Sequence, residues 1–151
     1  MIIVSASLQD SLDIWTWRND SLTRSMSITA DEVSFESHSN WFEKALKNPN
    51  CFLYLAYSDE GETEKVGMCR FDIETNGQIA KVSLNLNPKL RGKGLSHELL
   101  SASVMEFWKD HKLPLNATIK TQNVASIKCF IKCEFILERA DDEYNHYVLQ
   151  P

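Results

Sequence analysis

Two periods alternate along the chain, and the changes from one to the other mark its elements. Residues 1–4 are a short apolar run that predicts a first strand. Residues 9–19 follow the helical period, with Leu8, Leu12, Trp15 and Asn19 expected on one face. A second amphipathic helix is predicted over 34–47. It carries Phe35, His38, Trp41, Phe42 and Leu46, and Asn48-Pro49-Asn50 ends it. Strand composition then takes over at 51–57 (CFLYLAY) and 65–73, with Val66, Met68 and Phe71 inward. The acidic stretch Ser58-Asp59-Glu60-Gly61-Glu62 between them reads as a hairpin tip and not as a domain boundary. Glu74-Thr75-Asn76-Gly77 has Asn-Gly at its heart, the strongest short hairpin signal, and leads into a strand at 79–87. These three strands are expected to form an antiparallel meander.

The stretch 82–100, VSLNLNPKLRGKGLSHELL, is where the pattern acquires chemistry. Val82, Leu84 and Leu86 alternate with Ser83, Asn85 and Asn87, as in a strand with one buried face. Pro88 removes a ladder donor and stops it. Arg91, Gly92, Lys93 and Gly94 form a short turn, and Leu95, Leu99 and Ala102 then recur at helical spacing in a helix reaching about 109. A helix N-terminus behind a glycine turn presents free amides and a positive dipole end, which suits a phosphate or pyrophosphate. Beyond it, 114–121 predicts a strand parallel to its predecessor, 123–134 a helix, and 135–138 and 144–149 two closing strands around Ala140-Asp141-Asp142-Glu143. The fold class is mixed α/β, in one domain over 1–151.

Composition bounds this picture without redirecting it. The chain is 43% hydrophobic and 25% charged, ordinary for a soluble globular domain. Its net charge of −5 argues against nucleic acid, and the cations at Lys89, Arg91 and Lys93 are local. No apolar run approaches the roughly 20 residues that span a bilayer, so no membrane is expected. The N-terminus has neither a basic segment nor a long apolar one, which predicts no signal peptide and a cytoplasmic location. Cys51, Cys69, Cys129 and Cys133 are too scattered for a disulfide scaffold. Cys129 and Cys133 lie four apart, but without a second ligand pair they read as reduced core thiols, and no metal is expected.

Arg91-Gly92-Lys93-Gly94-Leu95-Ser96 resembles motif A of the GNAT N-acetyltransferase superfamily, Q/R-x-x-G-x-G/A, with serine in the final small position. Residues 123–135 resemble a second family segment, N-x-x-S-x-x-x-Y-x-K-x-G-F. Asn123, Ser126, Lys132 and Phe135 match, Phe130 stands where tyrosine is usual, and Glu134 where glycine is usual. The order of elements is also the GNAT order. The resemblance implies a mixed six- or seven-stranded sheet flanked by about four helices and splayed between the fourth and fifth strands.

It also implies acetyl-CoA as co-substrate. In that reading the amides of Arg91, Gly92, Lys93, Gly94, Leu95 and Ser96 hold the pyrophosphate, and the backbone of Leu84 and Leu86 pairs with the pantetheine arm. The Leu86 N–H polarises the thioester carbonyl, a role worth about 2.7–4 kcal/mol by analogy with other oxyanion donors. Asn123 bonds the pantetheine, with a helix cap as a compatible role. Ser126 and Phe130 complete that wall, and Lys132 is the candidate for the adenosine 3′-phosphate.

A free amine then attacks the acetyl carbonyl. Phe130 cannot supply the proton that the usual tyrosine gives the leaving thiolate. Tyr144 is the substitute, with Cys129 or a water behind it. Ser83 and Asn85 could hold a water that relays the amine proton, with Glu74 and His38 as further candidates. Such weak machinery favours an amine of low basicity, such as a sugar amine or an α-amine near 7.7–8.0, over a lysine near 10.4. The substrate hint lies in Trp15-Thr16-Trp17-Arg18-Asn19 and His38-Ser39-Asn40-Trp41-Phe42. They resemble the W-R-N and H-x-x-W-F pattern of a branch that includes nucleotide-linked amino-sugar N-acetyltransferases of the pseudaminic acid pathway. Ribosomal-protein N-terminal acetyltransferases share part of it. The resemblance implies substrate contacts from Trp17, Arg18, Asn19, His38 and Trp41. Aromatics can stack on a sugar or base and Arg18 can pair with a diphosphate, while packing in the core is the competing role for these aromatics. The partner implied is a small-molecule amine, a nucleotide sugar first, and a homodimer stays open. The alternatives are a protein N-terminal α-amine acetyltransferase and a catalytically weak acyl-CoA-binding module.

Overall fold

A computed structural model describes residues 1–58 and 64–151. The expected hairpin tip at 59–62 lies outside the described residues. The strands are β1 (Ile2–Ser5), β2 (Cys51–Tyr57), β3 (Lys65–Ile73), β4 (Ala80–Leu86), β5 (Leu115–Lys120), β6 (Ile136–Ala140) and β7 (Tyr144–Leu149). The helices are α1 (Ser11–Asn19), α2 (Ser21–Met26), α3 (Phe35–Lys47), α4 (Leu95–Asp110) and α5 (Val124–Lys132). Among the described residues no helix is long and apolar enough to cross a membrane.

One seven-stranded sheet has the order β1-β2-β3-β4-β5-β7-β6. The meander predicted for β2, β3 and β4 is antiparallel throughout, and β4 meets β5 in parallel. Local chemistry explains most boundaries. Ser34 caps α3 by accepting the Ser37 N–H at 3.2 Å. Gly77 takes a positive φ of 69° in the hairpin between β3 and β4, where Asn-Gly was expected to turn the chain. Phe135 is absorbed into the end of α5, donating its N–H to the Phe130 carbonyl, so β6 begins one residue later than predicted.

The sheet is covered on both faces. On one, α4 and α5 pack over Phe71, Val82, Leu115 and Ala117. Gly67 permits the close approach of α4, because a β-carbon there would fall 2.8 Å from Leu99 Cδ2 and 2.6 Å from the Asn85 carbonyl. On the other, Ile14, Trp17, Phe42, Ala45, Leu53, Leu55 and Met68 form a second core. Full burial of each large apolar side chain contributes about 1.5–3 kcal/mol relative to exposure.

The first helix turns a different face inward from the one predicted. Leu8 and Leu12 are 62% and 58% exposed, whereas Ile14 and Trp17 are buried. The reason lies at the start of the helix. Buried Asp10 meets Lys65 of β3 at 2.8 Å, and Asp13 meets the same ammonium at 2.8 Å. That tripartite bond sets the rotation of α1, and Ile14 and Trp17 follow Asp10 on the inner side at helical spacing. The short α2 has no counterpart among the predicted elements; none of its residues is buried.

Candidate active site

The parallel pairing of β4 with β5 holds at Ala80↔Leu115 and Lys81↔Asn116 and then stops. Beyond that point the strands part. The β3–β4 register decides which backbone groups face the gap. Asn87 donates its N–H to the Val66 carbonyl at 2.8 Å. Antiparallel alternation therefore turns the amides and carbonyls of Leu84 and Leu86 away from β3, into the gap. Ala80, in the same phase, donates across to the Pro114 carbonyl at 3.0 Å.

Past β4, Pro88–Leu90 makes a single 3-10 turn and Arg91–Gly94 stands exposed. Gly92 and Gly94 have φ of 77° and 74°, a region where other residues are strained. Gly94 is the N-cap of the 16-residue α4 and supplies no side-chain cap, so the first α4 amides, with those of Leu95 and Ser96, lack a partner from a capping side chain. The Arg91 guanidinium does not point freely outward. Its Nη2 pairs with Asp20 Oδ2 and donates to Thr23 Oγ1 at 2.9 Å. Burial and ion pairing compete at Asp20, and the Arg91 bond, the largest influence, holds its carboxyl below the usual range.

On the other wall, Asn123 caps α5, its Oδ1 accepting the Ser126 N–H at 3.2 Å. Lys132 is exposed at the far end of that helix. Phe130 is only 3% exposed and sits edge-on to Phe135 at 4.9 Å. Glu134 has φ of 68°. Its N–H reaches the Ile131 carbonyl while Phe135 N–H reaches that of Phe130, a left-handed helix ending that explains why glycine is usual there. The thiol of buried Cys129 is pushed up by its hydrogen bond with Cys133 and by burial, so it keeps its proton.

Ser83 and Asn85 lie on the face of β4 opposite the α4 core, and Ser83 is exposed. Lys81, in phase with them, pairs with Asn116 of β5, and that phase runs on through Thr118 to Lys120, which pairs with Tyr144 of β7. Half-buried Tyr144 therefore shares that face with Ser83 and Asn85. Glu74 lies far from them: it accepts from Asn116 Nδ2 at 3.3 Å beyond the other end of β4, about 20 Å from Leu86 at some 3.3 Å per residue.

The N-terminal candidates fare differently, and three of them have partners within the fold. Trp17 is 5% exposed and packs in the second core, because the rotation set at Asp10 turns it inward. His38 is 3% exposed and stacks on Phe42 at 5.5 Å; burial holds its imidazole low, against a hydrogen bond to the Ser11 backbone, so it is a neutral core group. Asn19 spends its amide on one residue, donating to the Val33 carbonyl at 2.6 Å and accepting the Val33 N–H at 2.8 Å. None of the three offers a free face to a substrate. Half-buried Trp41 lies 4.9 Å from the guanidinium of Arg70. Arg18 donates Nη2 to the Thr29 carbonyl at 2.7 Å, while its buried Nη1 has no hydrogen-bond partner.

The sequence matches the acetyltransferase (GNAT) domain family over residues 1–136. The chain belongs to that family. It is accordingly an acetyl-CoA-dependent N-acetyltransferase, and the splay between its fourth and fifth strands is the opening expected from motif A. No curated protein matches it. Solved structures share its fold at low identity. A spermidine N-acetyltransferase from Vibrio cholerae, in complex with CoA and spermine, is 12% identical with a TM-score of 0.86, covering 99% of this chain and 94% of the other. The aminoglycoside acetyltransferase AAC(6')-Ib, in complex with coenzyme A, is 16% identical with a TM-score of 0.81, covering 98% and 93%. An N-acetyltransferase from Staphylococcus aureus is 22% identical with a TM-score of 0.80, covering 99% and 97%.

The sequence did not point to several residues that surround the glycine turn and the β4–β5 gap. Asp20 and Thr23 hold Arg91, Lys120 donates Nζ to the Ser25 carbonyl at 3.1 Å, and Arg24 donates to the Asn19 carbonyl at 3.2 Å. Asp20, directly after Asn19 and three residues before Thr23, carried a helix-start signal that could have revealed α2.

Proposed function

We propose that this acetyltransferase acts on a nucleotide-linked amino sugar, the diphosphate lying against Arg18. The supporting observation is electrostatic. Arg18 has a buried Nη1 without a partner, and burial together with the nearby charge of Arg24 lowers its pKa. Among the described residues neither arginine pairs with a carboxylate. Two cations held only by backbone carbonyls suit an anionic substituent on the acceptor. They suit a polyamine poorly.

Acetyl-CoA fits the donor side as an extended chain with a charged end. The uncapped start of α4 and the positive-φ glycine turn suit its pyrophosphate, with the amides of Arg91 through Ser96 as donors. The outward-facing groups of Leu84 and Leu86 suit its amide-bearing arm, Asn123 and Ser126 close the wall above the buried ring of Phe130, and Lys132 remains the candidate for the 3′-phosphate. When bound, acetyl-CoA supplies the activated acyl group. The Leu86 N–H is placed to stabilise negative charge on the acyl oxygen. Ser83 and Asn85 hold the water that takes the amine proton, and Tyr144, on the same face of the sheet, returns a proton to the departing sulfur. An amine of low basicity needs no stronger base, so most of the acceleration comes from positioning.

A thiol-release assay tests the substrate. Acetyl-CoA is supplied with UDP-linked amino sugars or with peptides bearing free α-amines. Turnover with the sugars, and a rise in their KM of tenfold or more in Arg18→Gln, is expected. Turnover with peptides alone would overturn the proposal in favour of a protein N-terminal acetyltransferase. Tight CoA binding without turnover on either panel would favour the acyl-CoA-binding module, which buried Phe130 supports. Tyr144→Phe should cost about a hundredfold in turnover if the phenol is the acid.

A further inference from the structure

We propose that Asp20 is a positioning residue that couples helix α2, on the acceptor side, to the glycine turn on the donor side. This rests on the reading of residues 91–96 as the donor turn. Helix α2 has six residues and buries none of them. A helix this short does not persist in water by propensity, since lengths under about 12–15 residues are marginal even for alanine-rich sequences. Its order must come from side-chain ties; besides the Arg24 bond to the Asn19 carbonyl, the structure supplies three. Asp20 caps it, accepting the Thr23 N–H at 3.1 Å. The same carboxylate pairs with Arg91, which also donates to Thr23 Oγ1 at 2.9 Å. Lys120 of β5 donates to the Ser25 carbonyl at 3.1 Å. The last two ties come from the two lips of the donor gap, the turn after β4 and the strand β5. Helix α2 is thus pinned across the mouth of the splay by groups belonging to its walls.

The backbone amides of the turn, not the guanidinium, are assigned to the pyrophosphate, so Arg91 stays on Asp20 when the donor binds. The turn itself is exposed and rich in glycine. Fixing its backbone removes freedom that the clasp would otherwise have to restrain, and α2 becomes better ordered. The donor therefore completes the acceptor side before the amine arrives, and no residue need move far.

Asparagine at position 20 separates cap from clasp, because it caps a helix as well as aspartate does but carries no charge for Arg91. Hydrogen exchange is measured on the full chain with and without saturating CoA, for wild type, Asp20→Asn and Asp20→Ala. In wild type CoA should slow exchange severalfold at both 91–96 and 20–26. In Asp20→Asn it should slow 91–96 only. In Asp20→Ala, 20–26 should exchange fast in both conditions. Arg91→Gln should reproduce Asp20→Asn, and the double variant should add nothing. Equal protection of 20–26 in wild type and Asp20→Asn would overturn the coupling, as would wild-type protection confined to 91–96. Absence of protection at 91–96 despite CoA binding would overturn the donor-turn reading and the coupling with it.

Discussion

The two halves of the site contrast in what they ask of the chain. On the proposed donor side, residues 82–96, the groups assigned to the co-substrate belong to the backbone: amides of the glycine turn and the outward-facing edge of Leu84 and Leu86. On the acceptor side, residues 10–42, the candidates were side chains, and folding has used most of them. Trp17 and His38 are in the core and Asn19 is tied to Val33. Backbone groups of a strand that loses its neighbour stay available whatever the side chains do. A tryptophan or asparagine serves whichever partner the fold brings first.

The largest expected effect is on the donor side. Gly94→Asp places a β-carbon at φ of 74° and a negative charge where the pyrophosphate is expected. CoA affinity measured by calorimetry should fall at least a hundredfold, and unchanged affinity would break the donor half of the comparison. Next, Trp17→Ala should destabilise the protein by about 3–5 kcal/mol, the usual cost of emptying a large aromatic site. Denaturant titration reads this directly; wild-type stability with altered acceptor KM would return Trp17 to the substrate. A smaller loss, about 1–3 kcal/mol, should follow Asn19→Ala, which strips the side-chain partner from the N–H of Val33 and leaves its carbonyl with Trp15 Nε1 alone. A stability change near zero there would mean that Asn19 is available for other work.

The smallest effect sharpens the comparison on α5. Glu134 holds a left-handed φ of 68° that costs a side-chain-bearing residue about 1–2 kcal/mol. Glu134→Gly should raise stability by about 0.5–1 kcal/mol after the extra chain entropy of glycine is counted. Lower stability would show that the glutamate side chain compensates.

Read from the sequence, the strands were close to complete. The limits expected for the second and third strands, 51–57 and 65–73, are those observed, because period-two runs bounded by turn residues state their own ends. The glycine turn and the cap at Asn123 were equally legible, being local chemistry. The failures share one cause. The inward face of α1 was misjudged because Lys65, 52 residues downstream of Asp13, sets its rotation. Helix α2 was missed because its one local signal, the cap at Asp20, stands before only six residues, none of them buried, which Arg91 and Lys120 hold from a distance.

By itself, then, the sequence determined the order of the strands and of the longer helices, the meander, the turn on which α4 begins and the family to which the chain belongs. Each of these depends on residues within about one turn of each other. Only the tertiary structure decided which side chains remained free. It buried Trp17 and His38, committed Asn19, left Arg18 with an unsatisfied nitrogen, and joined Asp20 to Arg91 across 71 residues. The physical reason is that a side chain has one set of bonds to give. Which partner receives them is settled by contacts between segments distant in sequence, and no local pattern encodes those.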